Sequence, residues 1–424
     1  MPLRNLLYLL QLEEYDLNRF ETWIKNNPNR IVSEIKKKID WTIKAQMLYV
    51  LAMIFNVFTL GRKILAIKIA LRFLLPVDNS AKKLLVFLAS RKINKMTGLT
   101  IIGITGSYGK TTTKDAISHV LIHKYRTLKT KGNYNTLLGV AKTILKNLKP
   151  EHEIFVCEMA AYQIGDIKVT AELITPKIGI ITAIGPMHLE RFGSEENILK
   201  TKMELIESLP LNGAAFLPQE LEQKIKNLDI KSKIEFFSSK EELLIKIGKF
   251  FEMPEQEVLG RLKTAPQTPH RQQVIKTSAD ITIIDDTYNS NPIGFSSALE
   301  LLKNTPAQRR ILVTPGMIEL GNRQFELNKE AARNAAKIAD YVIIVGETNK
   351  KPLSKGLREG FNLYNRTSDL EDSYADKEYN KRVFEVVDLE QAKLKLSELA
   401  TPNSAILLEN DLPDHYYAKD EIHR

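Results

Sequence analysis

The sequence predicts an α/β protein in which two sheet-forming domains follow a helical N-terminal region. From residue 99 onward, short apolar runs rich in β-branched residues alternate with patterns of helical period, which is typical of parallel strands joined by helices. These runs form two series that are separated near residue 271. The predicted strands are 101–105, 153–158 and 178–184, then 281–285, 311–314, 341–345 and 405–409.

The length of 424 residues suits two or three domains. We predict a helical region at 1–98, a central domain at 99–270 and a doubly wound, Rossmann-like domain at 271–424. The single cysteine, Cys157, excludes a disulfide within the chain and suits a reducing compartment. The N-terminus shows no cleavable signal peptide, so we expect a cytoplasmic location.

The excess positive charge lies in the N-terminal region. Residues 1–98 contain 17 basic and 7 acidic residues, which accounts for the whole net charge of +10. Such an excess suits contact with an anionic membrane surface or with a nucleic acid. The remainder of the chain is neutral, whereas binding to nucleic-acid phosphates needs a basic surface. We therefore expect no nucleic-acid partner.

The apolar pattern of this region also indicates a membrane surface. Residues 45–60 form an uncharged stretch of 16 residues, and a bilayer span needs about 20. Residues 64–77 carry Lys68 and Arg72 four positions apart, which is typical of an amphipathic, interfacial helix. We expect association of 1–98 with the inner face of the cell membrane.

Two alternatives remain open for the same region. The uncharged stretch could span the bilayer, or a soluble helical domain could bury these apolar faces internally. We also expect residues 78–80, Asp-Asn-Ser, to end one helix before a basic helix at 82–95.

The motif Thr-Gly-Ser-Tyr-Gly-Lys-Thr-Thr at 105–112 joins a predicted strand to a predicted helix. This geometry presents backbone N–H groups and a helix N-terminus to phosphate. Lys110 would reach the outer phosphates, and the Thr111 hydroxyl would bind magnesium. The spacing is TGxxGKTT rather than the common GxxxxGK[ST]. The sequence therefore predicts a P-loop-containing central domain with Gly106, Ser107, Gly109, Lys110, Thr111 and Thr112 at the phosphates.

Further polar residues follow the next predicted strands. Glu158 and His188 lie at or just past the carboxyl ends of strands, where ligands bind in open α/β sheets. Glu158 is suited to magnesium, whereas an isolated histidine is usually structural. The loop at 130–136 carries Asn133 and Asn135, whose amides could contact phosphate, although an ordinary turn is favoured on spacing alone.

Two other segments carry charged or amide groups. The predicted helix at 195–209 contains Lys200, Lys202 and Glu204, which we expect to face solvent because nothing in the pattern distinguishes them. In the last domain, Asp286, Asn289 and Asn291 lie between a strand and a helix. They suit a ribose or a phosphate, and a purely capping role is the alternative.

Taken in order, these motifs resemble those of the Mur ligases. The resemblance covers roughly residues 99–350 and is strongest for the MurF type, which joins D-alanyl-D-alanine to UDP-N-acetylmuramoyl-tripeptide. The segments that carry it are TGSYGKTTTKD, TKGNYNTLLG, CEMAAYQIGDI, ITAIGPMHLERFGSEENILKTKMEL, PHR, IDDTYNSNP and GMIELG.

The resemblance implies an ATP- and Mg²⁺-dependent amide ligase that activates a carboxylate as an acyl phosphate. It implies catalytic roles for Lys110, His188 and Lys202. Thr111 and Glu158 would hold one magnesium ion and His188 a second, with Lys202 carbamylated by CO2 as a further ligand. From the C-terminal domain, the nucleotide would be reached by Arg271, Asp286, Asn289 and Asn291.

Two departures from the family pattern leave the substrates open. Residues 1–98 do not resemble the α/β domain that holds the UDP-sugar, and an acidic segment at 408–414 replaces a Lys-Gly-Ser-like stretch. We expect a peptidoglycan precursor and an amino acid or dipeptide as substrates. The alternatives are a Mur-like ligase for another carboxylate, of the folate or polyglutamate type, and a non-catalytic, ATP-binding membrane scaffold for cell-wall enzymes.

Overall fold

The computed structural model describes residues 1–32, 34, 38–132, 134–187, 189–362, 371–417 and 419–420. The predicted fold class is confirmed: a helical N-terminal region precedes two six-stranded sheets. The domain boundaries at 98 and 270 stay predictions.

The N-terminal helices pack around a small apolar cluster that includes Phe20, Leu48 and Ile67. The second helix begins after Asp16, whose carboxylate accepts hydrogen bonds from the first free backbone N–H groups of the helix. The elements of this region are α1 (Leu3–Leu12), α2 (Leu17–Asn26), β1 (Arg30–Ile31), α3 (Ile43–Phe58) and α4 (Lys63–Ile93).

The predicted helix break at residues 78–80 is wrong, because α4 continues through them and through Pro76. Asp78 forms ion pairs of 2.8 Å with Lys44 of α3 and with Lys82 one turn later in α4. These pairs, one within α4 and one to α3, bind the carboxylate of Asp78, a residue type that often ends helices.

Packing at both ends also favours one continuous α4 through the predicted break. Its first half packs in the N-terminal cluster, and Ala89 and Ile93 belong to the core of the central domain.

Within the described part of the chain, no helix combines the length and the apolar character that a bilayer span requires.

The central sheet is parallel throughout, in the order β3-β4-β2-β5-β6-β7. Apolar clusters cover both faces, and the carboxyl ends of the central strands meet at one edge. The strands are β2 (Thr100–Thr105), β3 (Thr127–Lys129), β4 (Ile154–Glu158), β5 (Ile178–Ile181), β6 (Ala214–Pro218) and β7 (Lys233–Phe237). The helices are α5 (Lys110–Leu121), α6 (Leu137–Asn147), α7 (Asp166–Ile174), α8 (Leu189–Phe192), α9 (Glu195–Glu207), α10 (Glu222–Ile225), α11 (Lys240–Phe250) and α12 (Glu255–Lys263).

The second sheet has the order β12-β11-β10-β13-β9-β8 and is parallel except for the β8–β9 pair. Its strands are β8 (Gln273–Lys276), β9 (Ile281–Asp286), β10 (Arg309–Thr314), β11 (Tyr341–Val345), β12 (Val383–Val386) and β13 (Ser404–Glu409), and a short β14 (Lys419–Asp420) pairs with β1. The helices are α13 (Pro292–Asn304), α14 (Gln324–Ala335), α15 (Lys350–Asn362), α16 (Glu371–Arg382) and α17 (Leu389–Leu399).

All seven predicted strands are present, with ends that differ by at most three residues. The sequence did not indicate β6, because Ala-Ala-Phe-Leu-Pro lacks β-branched residues and ends in proline. It also did not indicate β7, β8 and β12, which lie at or next to the sheet edges and are only partly buried.

The N-terminal region docks on the C-terminal segment. The Tyr8 hydroxyl donates to Asp414 Oδ2 at 2.6 Å, and His415 Nε2 lies 3.2 Å from Glu13 Oε1. These four side chains are buried. The first and last regions of the chain are therefore joined by polar contacts that exclude water.

Candidate active site

One pocket lies at the carboxyl ends of the central strands, between the central and C-terminal domains. Its volume is about 150 Å³. The chemically active residues that line it are Ser107, Lys110, Thr111, Asn135, Glu158, Tyr162, Lys202, Arg271, Tyr288, Asn289 and Asn291, with the backbone of Gly106 and Gly109. Residues that the sequence placed in separate motifs are therefore neighbours.

The turn between β2 and α5 requires its glycines. Gly106 has φ of +147° and Gly109 has φ of +79°, in the left-handed half of backbone space. A Cβ on Gly106 would lie 2.2 Å from Thr182 Oγ1. The Ser107 hydroxyl donates to Gly185 O at 3.0 Å and accepts from Gly185 N at 3.1 Å. These contacts fix the turn, so the first N–H groups of α5 point into the pocket.

Lys110 begins α5 and lies across the turn. Its Nζ atom donates to Gly106 O at 2.6 Å and to Ser107 O at 3.1 Å. Burial lowers the pKa of Lys110 to about 8. The Thr112 hydroxyl donates at 3.0 Å to the carbonyl oxygen of Gly109, the residue before α5, and Thr112 does not line the pocket.

Glu158, at the end of β4, is buried and fully hydrogen-bonded. Its Oε1 accepts from Thr111 Oγ1 at 3.2 Å and from Asn135 Nδ2 at 3.0 Å. Its Oε2 forms an ion pair with Lys114 Nζ at 2.9 Å. The backbone N–H of Glu158 donates to the buried Thr130 hydroxyl at 3.1 Å. The loop at 130–136 is therefore part of the site through Asn135.

Sequence reasoning missed Lys114. A signal was present, because Lys114 shares the buried face of α5 with Ile117, Ser118 and Leu121 at intervals of three, four and seven residues. A charged residue on an apolar face needs a partner, and here that partner is Glu158.

The expectation that Lys202 and Glu204 face solvent is wrong. Lys202 is 4% exposed and Glu204 is 8% exposed, because α9 is covered by α7 on one side and by β5 on the other. Glu204 accepts hydrogen bonds from the N–H groups of Gly165 and Lys168, at 2.7 and 2.9 Å, and so caps α7. Lys200 is exposed, as expected.

Lys202 is a buried lysine whose amine makes few polar contacts with the described residues. Among the residues that the structure describes, it forms no hydrogen bond or ion pair, and its Nζ lies 5.7 Å from the centre of the Phe192 ring. Burial and the positive charge of Lys110 lower the pKa of Lys202 to about 7. A substantial fraction of its amine is therefore neutral near pH 7.

The C-terminal domain closes the pocket with Arg271, Tyr288 and the amides of Asn289 and Asn291. The Arg271 guanidinium lies 4.1 Å from the centre of the Tyr288 ring. The Asn291 side chain accepts from Gly294 N at 3.0 Å, so the capping role also exists.

Asp286 lies behind these residues and does not line the pocket. Its carboxylate accepts from Gln272 N at 3.2 Å, and burial raises its pKa to about 6. His188 and Asn133 lie outside the described residues, so their predicted roles stay predictions. In the part of the chain that is described, no group of three His, Cys, Asp or Glu residues could hold a metal ion.

The sequence matches the Mur ligase middle domain over residues 104–267 and the Mur ligase glutamate ligase domain over residues 270–409. Together these matches cover more than half of the chain, and each falls on one of the two sheets. The chain therefore belongs to the Mur ligase family.

Individual relatives show which type of Mur ligase the chain is similar to. UDP-N-acetylmuramoyl-tripeptide–D-alanyl-D-alanine ligase of Bacillus subtilis is 30% identical over 273 residues, which covers 55% of this chain and 59% of the relative. The Synechocystis enzyme of the same name is 30% identical over 256 residues, covering 52% and 56%. The chain thus matches less than two thirds of the length of these relatives.

The fold agrees with a solved structure of the same type. MurF ligase from Thermotoga maritima, in complex with ADP, superposes with a TM-score of 0.65 at 23% identity, covering 78% of this chain and 80% of that chain.

We predict that Gly106→Ala disrupts the turn at the pocket. The new Cβ would meet Thr182 Oγ1 at 2.2 Å, and φ of +147° is unfavourable for alanine. The strained backbone should cost about 1–3 kcal/mol of unfolding free energy, and binding of inorganic tripolyphosphate should be lost. Thermal denaturation and titration calorimetry would measure both effects.

Gly98→Ala is the control, because a Cβ there meets nothing within 4 Å. It should leave stability and binding unchanged. Tripolyphosphate binding by Gly106→Ala at the affinity of the unaltered chain would contradict the prediction.

Proposed function

We propose that this protein is an ATP-dependent, ADP-forming ligase that joins a carboxylate to an amine through an acyl phosphate. The proposal rests on one observation, which is that four parts of the site line the same pocket. They are the glycine turn with Lys110, the Thr111–Glu158 pair, the buried Lys202, and Arg271 of the C-terminal domain. A site for the phosphates of ATP thus lies beside a buried amine and beneath a second domain.

In the proposed reaction, a substrate carboxylate oxygen attacks the γ-phosphorus of ATP and ADP leaves. The amine then attacks the acyl carbon, phosphate leaves, and the amine nitrogen loses a proton. The turn N–H groups and Lys110 hold and neutralise the phosphates. Arg271 and the Asn289 and Asn291 amides would bind from the C-terminal domain, so the two domains together would hold the reactants in position.

Magnesium fits part of this site. Thr111 Oγ1 and Glu158 Oε1 are hard oxygen donors 3.2 Å apart, close to the roughly 3 Å between neighbouring oxygens around Mg²⁺. Thr111 and Glu158 would hold the ion, and the nucleotide phosphates would supply further oxygens. When bound, the ion would offset the charge of the transferring phosphoryl group. A second ion would depend on His188.

Lys202 is the residue that we propose to be carbamylated. The neutral buried amine attacks the carbon of CO2, an N–C bond forms as one C–O π bond opens, and the nitrogen releases a proton, which leaves an anionic carbamate. The positive charge of Lys110 disfavours an ammonium at Lys202 and would favour a carbamate there. The carbamate would supply oxygens to a metal ion.

For the substrates, we propose a peptidoglycan precursor and D-alanyl-D-alanine or a similar amine, as in the names of the relatives. The acidic C-terminal segment at 408–414 bears on the identity of the amine. Glu409 is fully buried and bonded to the Ser290 hydroxyl, and Asp414 binds Tyr8. Residues 408–414 contain no lysine, arginine or histidine, so this segment does not offer the basic group that a carboxylate-bearing dipeptide would contact.

We predict that the chain releases phosphate from MgATP only when both UDP-muramoyl-tripeptide and D-alanyl-D-alanine are present. Lys110→Ala should lower the rate by about 100-fold or more, because a cation at the phosphates is lost. Lys142→Ala, an exposed lysine of α6, is the matched control and should keep the full rate. ATP binding without phosphate release from this pair would shift the assignment to another carboxylate or to a non-catalytic scaffold.

We predict a carbamate at Lys202. With ¹³C-labelled CO2, NMR should show a carbamate resonance that Lys202→Met abolishes and that exposed Lys200→Met retains. The ordinary pKa of a lysine amine is 10.5, and burial lowers the pKa of Lys202 to about 7. At constant CO2 the signal should therefore grow from about pH 6 to about pH 8 as the amine loses its proton. An identical spectrum from Lys202→Met would refute the assignment.

We also propose that the protein acts at the cytoplasmic face of the membrane, through α3 and the first half of α4. On α3, apolar side chains spaced alternately four and three residues apart are exposed: Ile43, Met47, Val50, Ile54 and Val57. The exposed Phe58 and Leu60 extend this face beyond the end of the helix.

Exposed basic residues adjoin this face, among them Arg62, Lys63 and Arg72. Apolar side chains bordered by cations suit the headgroup region of an anionic lipid surface better than a polar protein. A precursor carried by a lipid would then be close to the active site.

We predict that the full chain sediments with vesicles of anionic phosphatidylglycerol at low salt and not with phosphatidylcholine. Val57→Glu with Phe58→Glu should lower binding about tenfold or more, because each side chain loses its apolar transfer energy. Leu211→Glu is the control, since Leu211 in the central domain is as exposed as Phe58, at 78%. Failure of the unaltered chain to sediment with anionic vesicles would refute the proposal.

A further inference from the structure

Lys114 is a buried ion-pair partner of the central carboxylate. Its side chain is 1% exposed and that of Glu158 is 2% exposed, with 2.9 Å between Lys114 Nζ and Glu158 Oε2. The same Nζ donates to Gly132 O at 3.1 Å. Lys114 therefore ties helix α5 to the end of β4 and to the loop at 130–136.

The two oxygens of Glu158 have different partners. Oε2 is bound by Lys114, whereas Oε1 is shared by the uncharged donors Thr111 and Asn135. A divalent cation can replace weak neutral donors at Oε1 more readily than an ion-paired lysine at Oε2. The arrangement thus reserves one defined oxygen, beside the Thr111 hydroxyl, for the cation.

We propose that Lys114 is a positioning residue that orients Glu158 for a divalent cation bound together with the nucleotide. This inference rests on the proposed function, in which Thr111 and Glu158 hold that ion. Lys114 touches neither nucleotide nor substrate in this scheme. It acts through the carboxylate and through the loop that carries Asn135.

Removing Lys114 would change the affinity for a divalent cation in two opposite ways. Loss of a nearby positive charge alone would strengthen binding of a divalent cation. Loss of orientation would weaken it, because a buried Oε2 without Lys114 would compete for the Thr111 and Asn135 donors. The loop would also lose the contact at Gly132. The inference requires that orientation is the larger effect.

The test measures Mn²⁺ binding to the full chain with saturating ADP, by electron paramagnetic resonance. Lys114→Met should weaken Mn²⁺ binding by about 10-fold or more, the usual effect of losing a group that orients a metal ligand. Lys129→Met is the matched control: Lys129 pairs with Asp115 of the same helix at 2.8 Å but is 47% exposed. It should bind Mn²⁺ like the unaltered chain.

A second readout separates positioning from a general loss of structure. ADP binding in EDTA should change by less than about 2-fold in Lys114→Met, since the glycine turn and Lys110 remain. Removing one partner of a buried ion pair is destabilising. If thermal denaturation shows Lys114→Met to be unfolded, Lys114→Gln retains a hydrogen-bond donor and should weaken Mn²⁺ binding several-fold.

Unchanged or tighter Mn²⁺ binding by either folded variant would overturn the inference. Equal losses of Mn²⁺ binding and of metal-free ADP binding would overturn it as well, in favour of a purely structural role. The ligase proposal fails separately, if the unaltered chain binds Mn²⁺ and ADP but no carboxylate–amine pair elicits phosphate release.

Discussion

The buried carboxylate of Glu158 connects the parts of the site. The carboxylate contacts Thr111 and Lys114 of α5, and Asn135 in the loop after β3. The backbone N–H of Glu158 donates to the Thr130 hydroxyl of the same loop. The parallel order of the central sheet makes this possible, because β2, β3 and β4 are adjacent and end at the same edge. A buried anion at that edge must be fully satisfied, so its three side-chain contacts, with the backbone bond to Thr130, fix the relative positions of strand, helix and loop.

The sequence predicted those features of the fold and site that a local residue pattern determines. The strand, glycine turn and helix at 101–115 placed Lys110 and Thr111, and the end of the next strand placed Glu158. The burial of charged residues could not be read from composition. Lys202 and Glu204 are buried because α7 and β5 cover both sides of α9, and the continuity of α4 depends on ion pairs of Asp78 with Lys44 and Lys82.

The two departures from the family pattern meet in the structure. The N-terminal helices contact the acidic C-terminal segment and the residue that follows it, through Tyr8–Asp414 and Glu13–His415. Arg191 extends this junction to the central domain, with Glu14 at 3.3 Å and Glu319 of the C-terminal domain at 3.5 Å. A substitution in either segment therefore affects the contact between all three regions.

The charge in the pocket does not follow from the net charge of the chain. The excess of +10 lies in residues 1–98, while the two sheet domains are neutral overall. Within those neutral domains, desolvation lowers the pKa of Lys110 to about 8 and that of Lys202 to about 7. The positive charge of Lys110 is held away from water at a cost that a bound polyphosphate would offset, whereas at Lys202 the same desolvation favours the neutral amine that can form a carbamate. Attraction of a polyphosphate to the pocket therefore depends on a desolvated cation rather than on net charge.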